Sequence, residues 1–266
     1  MDKLYLSVDI EGVCGIADWK ETEIAEAQGA YFRRQMTREA AAACEAAVES
    51  GVKDILVKDA HGSGRSIDPS ALPRNTRIMR SWTRDPYSMM AGLDASFGGA
   101  CFIGYHSAAG TDGNPLAHTM DTKAQEIRIN GTLASEFMIN AYTAGSLGVP
   151  ALFLSGDQAL CNSAVEIAPR IRCVAVSEGI GNASISIHPE LALERIRAGM
   201  AEALSADPKT MLIDLPDRFT LDITYKQHHL AYQASFYPGV KRRGPTSARL
   251  VTKAWIDVLA FIHFAL

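Results

Sequence analysis

Three short apolar runs each end in a residue able to bind a metal. Lys3 to Val8 leads into Asp9-Ile10-Glu11-Gly12, Asp54 to Lys58 into Asp59-Ala60-His61-Gly62, and Ala100 to Gly104 into Tyr105-His106. If the first run stays extended, Asp9 and Glu11, two positions apart, project their carboxylates to the same side. Carboxylate with imidazole is a donor set for Zn²⁺, Mn²⁺ or Fe, whereas an all-oxygen set would point to Mg²⁺ or Ca²⁺. A single catalytic zinc takes three protein ligands and keeps one position open. The set here is larger, which points to two ions with a carboxylate such as Asp9 bridging them. Two such ions lower the pKa of a shared water and polarise a carbonyl. Proton transfer then needs a group free of metal, and His118, after Gly113-Asn114-Pro115, is the candidate. Singly, an Asp-x-Glu at a strand end is more often a helix cap, and a histidine after a strand more often a structural donor. The inference rests on three strand ends carrying the same chemistry.

Residues this far apart in sequence share a pocket if their strands lie side by side in one parallel sheet. Ligands then collect beyond the carboxyl ends of the strands. The segment pattern predicts that arrangement. An alanine-rich helix is expected over Thr37 to Ser50, with Thr37 as N-cap and Gly51 beyond its end. Glu126 to Ile129 with Asn130-Gly131 reads as half of a hairpin. Ser135 to Ser146 and Gln158 to Ala168 read as helices, and Ala151 to Leu154 and Val174 to Val176 as strands. A helix over Glu190 to Leu204 follows, then strand-like runs at Met211 to Leu215 and Thr220 to Tyr225, and a last helix from about Thr246-Ser247. The fold class expected is therefore α/β, a largely parallel sheet flanked by helices, with a smaller C-terminal lobe or sheet extension. Residues 1–180 are expected to form the metal-binding catalytic domain and 181–266 the lobe, with Ser177 to His188 connecting them.

Composition removes several alternatives. A chain of 266 residues, 47% hydrophobic, can bury a core unaided. A net charge of −4 offers no basic field for nucleic acid. No secretory pattern opens the chain and no apolar run is long enough to span a bilayer, so a cytoplasmic protein without membrane contact is expected. The tail Val258 to Leu266 reads as a buried or interface helix. The five cysteines contain no C-x-x-C pair, as expected of reduced thiols. Cys14 lies near the expected site, but no base is visible beside it in sequence. Asp157, at a fourth strand end, reads as a cap or a partner of the site. His188, His228, His229 and His263 read as structural or surface residues. Gly62-Ser63-Gly64 resembles a phosphate-cradling loop only loosely, and there is no G-x-G-x-x-G or P-loop.

At Leu6-Ser7-Val8-Asp9-Ile10-Glu11-Gly12, Lys58-Asp59-Ala60-His61, Ile103-Gly104-Tyr105-His106, Ala117-His118-Thr119-Met120, and Glu136 with Asn140-Ala141-Tyr142, the chain resembles the D-aminopeptidase family, the M55 zinc peptidases. The resemblance runs in order from the N-terminus past Gly156-Asp157 and becomes general in the last third. It implies a binuclear zinc site, two Zn²⁺ per subunit with Mn²⁺ or another divalent ion as substitute, held by Asp9, Glu11, His61, His106 and Glu136. Glu136 enters only by this route, since spacing alone leaves it a carboxylate at a helix start. The three carboxylates then leave two divalent ions with one net positive charge. The resemblance also implies a catalytic role for His118, release of N-terminal D-amino acids from short peptides or amino-acid amides, and a ring-shaped homo-oligomer, a decamer, around a central chamber. No separate organic cofactor site is implied. The rival readings are another two-metal amidohydrolase or phosphoesterase acting on a small molecule, and a non-catalytic metal-containing protein that binds a small ligand.

Overall fold

Leu4, Tyr5, Leu6 and Val8 are all buried, the pattern of a strand covered on both faces. In the computed structural model, which describes residues 1–266, this strand lies inside the larger of two sheets. The chain runs β1 (Lys3–Val8), α1 (Gly29–Glu49), β2 (Asp54–Asp59), β3 (Thr76–Met79), β4 (Ala100–Tyr105), β5 (Ala124–Ile129) and β6 (Thr132–Leu133). It continues through α2 (Glu136–Ser146), β7 (Ala151–Asp157), α3 (Gln158–Ile167), β8 (Arg172–Ile180), β9 (Ala183–Ser186) and α4 (Pro189–Ser205). Last come β10 (Phe219–Tyr225), α5 (His228–Ala234), β11 (Lys241–Arg242), β12 (Ser247–Thr252) and α6 (Trp255–Ala265).

The seven-stranded sheet has the order β3-β2-β1-β4-β7-β8-β9 and is parallel except at the β8–β9 hairpin. Thus the expected parallel sheet flanked by helices is present. From β1 the chain builds outward through β2 and β3, then crosses back to place β4 on the other side of β1. The β1/β4 boundary is therefore the topological switch point, where loops diverge and leave a crevice at the strand ends. Val8 pairs with Asp59 on one side and Ile103 on the other, so Asp9 emerges between Ala60 and Gly104. On one face, α1 lays Met36, Ala40, Ala43 and Ala47 on the sheet, with α4 packed alongside. Small residues at that helical spacing permit close approach. On the other face lie α2 and α3, through Phe137, Ala141, Leu160 and Ala164.

The second sheet, β11-β12-β10-β5-β6, is antiparallel. It draws β5 and β6 from the middle of the chain and β10 to β12 from the end. Its core joins Ile127, Ile129, Leu221 and Ile223 to α6 and to Met138 and Ile139 of α2. Trp255 Nε1 donates to Thr143 Oγ1 at 3.0 Å, tying α6 to α2. Asn130 and Gly131 both have positive φ, 51° and 86°, as a tight two-residue hairpin turn requires.

Three local expectations are corrected. Thr37 is not a cap: α1 begins at Gly29, and Thr37 Oγ1 donates back to Arg33 O at 2.8 Å inside the helix. Met211 to Leu215 forms no strand, because Asp207 caps a short 3₁₀ turn, Pro208–Met211, at its start. Thr246-Ser247 opens strand β12, not a helix. Ala248 and Leu250 face inward while Arg249 and Val251 do not, a period of two that pairing with β10 enforces.

Candidate metal centre

The turn after β1 brings the two acidic residues into place. Asp9 and Glu11 do not continue an extended strand as the sequence suggested. The chain turns over Asp9–Gly12, with Val13 N donating to Ile10 O at 3.0 Å and Gly12 N to Gly104 O at 2.9 Å. Two glycines make this packing possible. A Cβ on Gly12 would lie 1.7 Å from Tyr105 O, and one on Gly104, at φ +70°, would lie 2.4 Å from Asp9 O. Asn114 supports the turn, its Nδ2 donating to Glu11 O at 3.0 Å.

His61, His106, His118 and Glu136 converge on this turn from separate elements. His61 Nδ1 lies 3.1 Å from Glu11 Oε2 and 3.4 Å from Asp9 Oδ1. His106 Nε2 lies 3.5 Å from Asp9 Oδ2 and 3.6 Å from Glu136 Oε2. His118 Nε2 lies 3.6 Å from Glu136 Oε1, and its ring stacks on that of His106 with centroids 4.3 Å apart. Two groups of donors result, Asp9/Glu11/His61 and His106/His118/Glu136, and in each the donor atoms lie within 4.8 Å of one another. Asp9 faces both groups with different oxygens. All five residues expected to bind metal are thus brought together, and His118 joins them.

Neighbouring hydrogen bonds orient the donors. His106 Nδ1 lies 2.9 Å from Ser107 O and His118 Nδ1 2.9 Å from Leu116 O. A carbonyl only accepts, so each Nδ1 donates a proton to it, which turns each Nε2 toward the cluster as the nitrogen that would bind a metal. Asp157 caps α3 and also takes hydrogen bonds from Ser107 N (2.7 Å) and Ser107 Oγ (2.5 Å), fixing the residue beside His106. It is therefore a cap and a supporting partner, as its position suggested. Glu136 opens α2, where the helix dipole favours a carboxylate, and its Oε1 accepts from Met120 N at 2.7 Å.

The charge balance tests whether a cation fits. Burial and the nearby Glu11 carboxylate push the Asp9 carboxyl well above its usual range. Burial acts upward on Glu11 too, but the His61 imidazole outweighs it and holds Glu11 well below its usual range. Burial opposes a charged His106, yet Glu136, Glu11 and Asp9 together push it up to about 10. His61 is likewise driven well above its usual value against burial, chiefly by Glu11. The carboxylates thus draw protons onto buried imidazoles, so the cluster needs positive charge. Meanwhile Asp9 Oδ2 and His106 Nε2 are buried without a hydrogen-bond partner. Buried polar atoms are seldom left so, and a metal ion that displaces the protons satisfies both.

Above the cluster opens a cavity of about 520 Å³, in the range of small-molecule sites. Trp19, Trp82, Arg84, Asp121 and His263 line it beside the candidate ligands. The sequence reading missed the first four and placed His263 among structural or surface residues. The available signal was Trp82 next to charged residues in a loop, a common composition for a binding surface. Cys14 is no nucleophile: its Sγ donates to Ile187 O at 3.0 Å, and burial pushes its thiol up to about 12.

Known proteins resemble this chain over nearly its whole length. The family model for M55 peptidases, described as D-aminopeptidase, matches residues 2–264. The D-aminopeptidase of Bacillus subtilis (strain 168) is 31% identical over 259 residues, covering 96% of this chain and 93% of that protein. The solved structure of the Zn-dependent D-aminopeptidase DppA from Bacillus subtilis, described as a self-compartmentalizing protease, superposes with a TM-score of 0.93. It is 29% identical and the match covers 99% of this chain and 96% of that one.

Proposed function

Since the chain belongs to the M55 family of D-aminopeptidases, we propose that it is a zinc-dependent aminopeptidase that releases N-terminal D-amino acids from short peptides or amides. The observation that carries this reading is the pair of buried, unpartnered donor atoms, Asp9 Oδ2 and His106 Nε2, inside a converging set of carboxylates and imidazoles. Asp9, Glu11 and His61 would hold one ion, and Asp9, His106 and Glu136 a second. Asp9 can serve both because its two oxygens face different histidines. Zinc held there supplies Lewis acidity toward the scissile carbonyl and acidifies a water.

The protein's own groups would do the rest. His118 is held with its Nδ1–H on Leu116 O and its Nε2 toward Glu136, so that Nε2 is the atom free to take a proton and return it to the leaving amine. Trp19 packs edge-on against His118, with centroids 5.2 Å apart, and limits the ring's freedom. Glu11, Glu23, Asp85 and Asp121 make the cavity acidic, which favours a substrate bearing a free α-ammonium.

The same reading extends to assembly and location. A ring-shaped homo-oligomer of ten copies would enclose the cavities, and exposed Phe236 and Phe264 offer apolar surface for contacts between copies. Five free cysteines, four of them buried, suit the cytoplasm.

The test is hydrolysis of D-alanine and L-alanine para-nitroanilides by zinc-reconstituted protein, with and without chelator. Faster, chelator-sensitive release from the D substrate is expected. No release from either by protein shown to contain zinc would overturn the aminopeptidase reading.

A further inference from the structure

Part of the cavity wall comes from the segment 81–88, between β3 and β4, through Trp82, Arg84, Asp85 and Ser88, and this segment has an unusual backbone. Ser81, Arg84 and Ser88 all have positive φ, 67°, 67° and 49°, although none is glycine. Such conformations are unfavourable and persist only where the surroundings hold them. Here they are held firmly. Lys58, fully buried, donates from Nζ to Ser81 O at 2.7 Å, and its ammonium lies 4.2 Å from the centre of the Trp82 ring. Trp82 Nε1 donates to Gly62 O at 2.8 Å, and the Asp85 carboxylate accepts from Tyr87 N at 2.9 Å. None of these contacts positions a candidate metal ligand directly. Their common result is to fix the segment that sets Arg84 on the cavity.

Arg84 is the single lysine or arginine among the residues lining the cavity. Glu23, Asp85 and Asp121 line the same space, yet no carboxylate forms an ion pair with its guanidinium. Arg84 is exposed on the cavity, so its guanidinium is free to pair with an anionic group that a ligand carries into this otherwise acidic space. Under the aminopeptidase reading, on which this inference rests, the scissile carbonyl lies at the metal cluster and the N-terminal ammonium meets the carboxylates. A short peptide then carries one further charge, its C-terminal carboxylate, and guanidinium matches that group with two parallel hydrogen bonds.

We propose that Arg84 is a specificity-determining residue that binds the free C-terminal carboxylate of a di- or tripeptide, making short peptide acids the preferred substrates over the corresponding amides.

The experiment compares kcat/KM for D-alanyl-D-alanine and D-alanyl-D-alanine amide in the zinc-loaded full chain, for wild type, R84Q and R84K. Wild type is expected to favour the acid by tenfold to a hundredfold, the range for a hydrogen bond between charged groups. In R84Q that ratio should fall to about one, mainly through KM for the acid. R84K, which keeps the charge but not the planar fork, should fall between. A wild type indifferent to the carboxylate, or an unaltered ratio in both variants, would overturn the proposal. If D-alanine para-nitroanilide is hydrolysed while the acid is not preferred, only the Arg84 proposal fails. If that substrate also resists the zinc-loaded wild type, the aminopeptidase reading fails with it.

Discussion

Asp9 touches both halves of the cluster, with Oδ1 3.4 Å from His61 and Oδ2 3.5 Å from His106. No other carboxylate in the site reaches histidines of both groups. Asp9→Ala should therefore lose both ions and turnover together, whereas a residue serving one ion would leave about half the metal. Elemental analysis alongside the para-nitroanilide assay separates these outcomes. His118 calls for the opposite test, because its geometry admits two roles: it is the proposed proton carrier, yet its Nε2 lies within the His106/Glu136 group. His118→Ala should retain zinc and lose about a hundredfold to ten-thousandfold in kcat, the usual contribution of general acid–base catalysis. Loss of one ion per chain in that variant would make His118 a ligand instead. Asp9, Glu11, His61 and His106 stood out in the sequence because three strand ends carried one donor chemistry, and His118 because a proton carrier free of metal was still wanted. Glu136 was legible only through family resemblance, since no spacing links a carboxylate at the start of α2 to the turn after β1.

The elements add constraints that no ligand motif displays. Glu39 of α1 is fully buried, and its Oε1 accepts from Cys14 N at 3.0 Å and from Gln35 Nε2 at 3.1 Å, so α1 fastens the segment just after Glu11. Burial pushes the Glu39 carboxyl up to about 7. The folded protein then holds this proton more tightly than the unfolded chain does, and stability falls with pH wherever the folded state binds more protons. The contribution is complete below about pH 4.5 and is lost as pH rises through about 7, an effect on the order of 3 kcal/mol. Glu39→Gln, uncharged throughout, should flatten that slope. Thermal unfolding of both proteins from pH 4.5 to 7.5 checks it, and parallel curves would mean that Glu39 is not protonated in the fold. The layered sheet was readable because β1, β4 and β7 are short apolar runs bounded by turns. The second sheet was hidden for a physical reason: β5 and β10 pair although about ninety residues separate them, with Leu221 opposite Ile129. Local pattern cannot report such a partner. Likewise Thr246-Ser247, where β12 begins, is a helix-start signal that tertiary pairing overrides.

At the scale of the whole molecule, no helix is long and apolar enough to cross a membrane, and exposed apolar surface marks places where another surface can dock. It occurs in two separate places. Tyr232 and Phe236, by α5, and Phe264, on α6, are 56%, 71% and 68% exposed; Tyr232 packs edge-on against Phe236, and Tyr237 stacks on Phe264. On the edge hairpin β8–β9, Ile180 and Ile185 are 59% and 53% exposed. A closed ring built head to tail needs two such unlike faces on each copy, whereas a simple two-fold dimer needs one face that matches itself. The aromatic face also borders the cavity, because His263, which lines it, packs edge-on against Phe264 with centroids 4.9 Å apart. A copy docked there would narrow the approach to the metal cluster, which links assembly to the exclusion of long chains. If both faces close the proposed ring, F236D/F264D and I180D/I185D should each yield monomers of unchanged circular dichroism, measured by light scattering. Mixed together, the two variants should form a heterodimer through the one intact face each retains, and grow no further. A variant that keeps the full assembly would remove its face from the ring, and failure of the mixture to associate would show that the two faces do not meet each other.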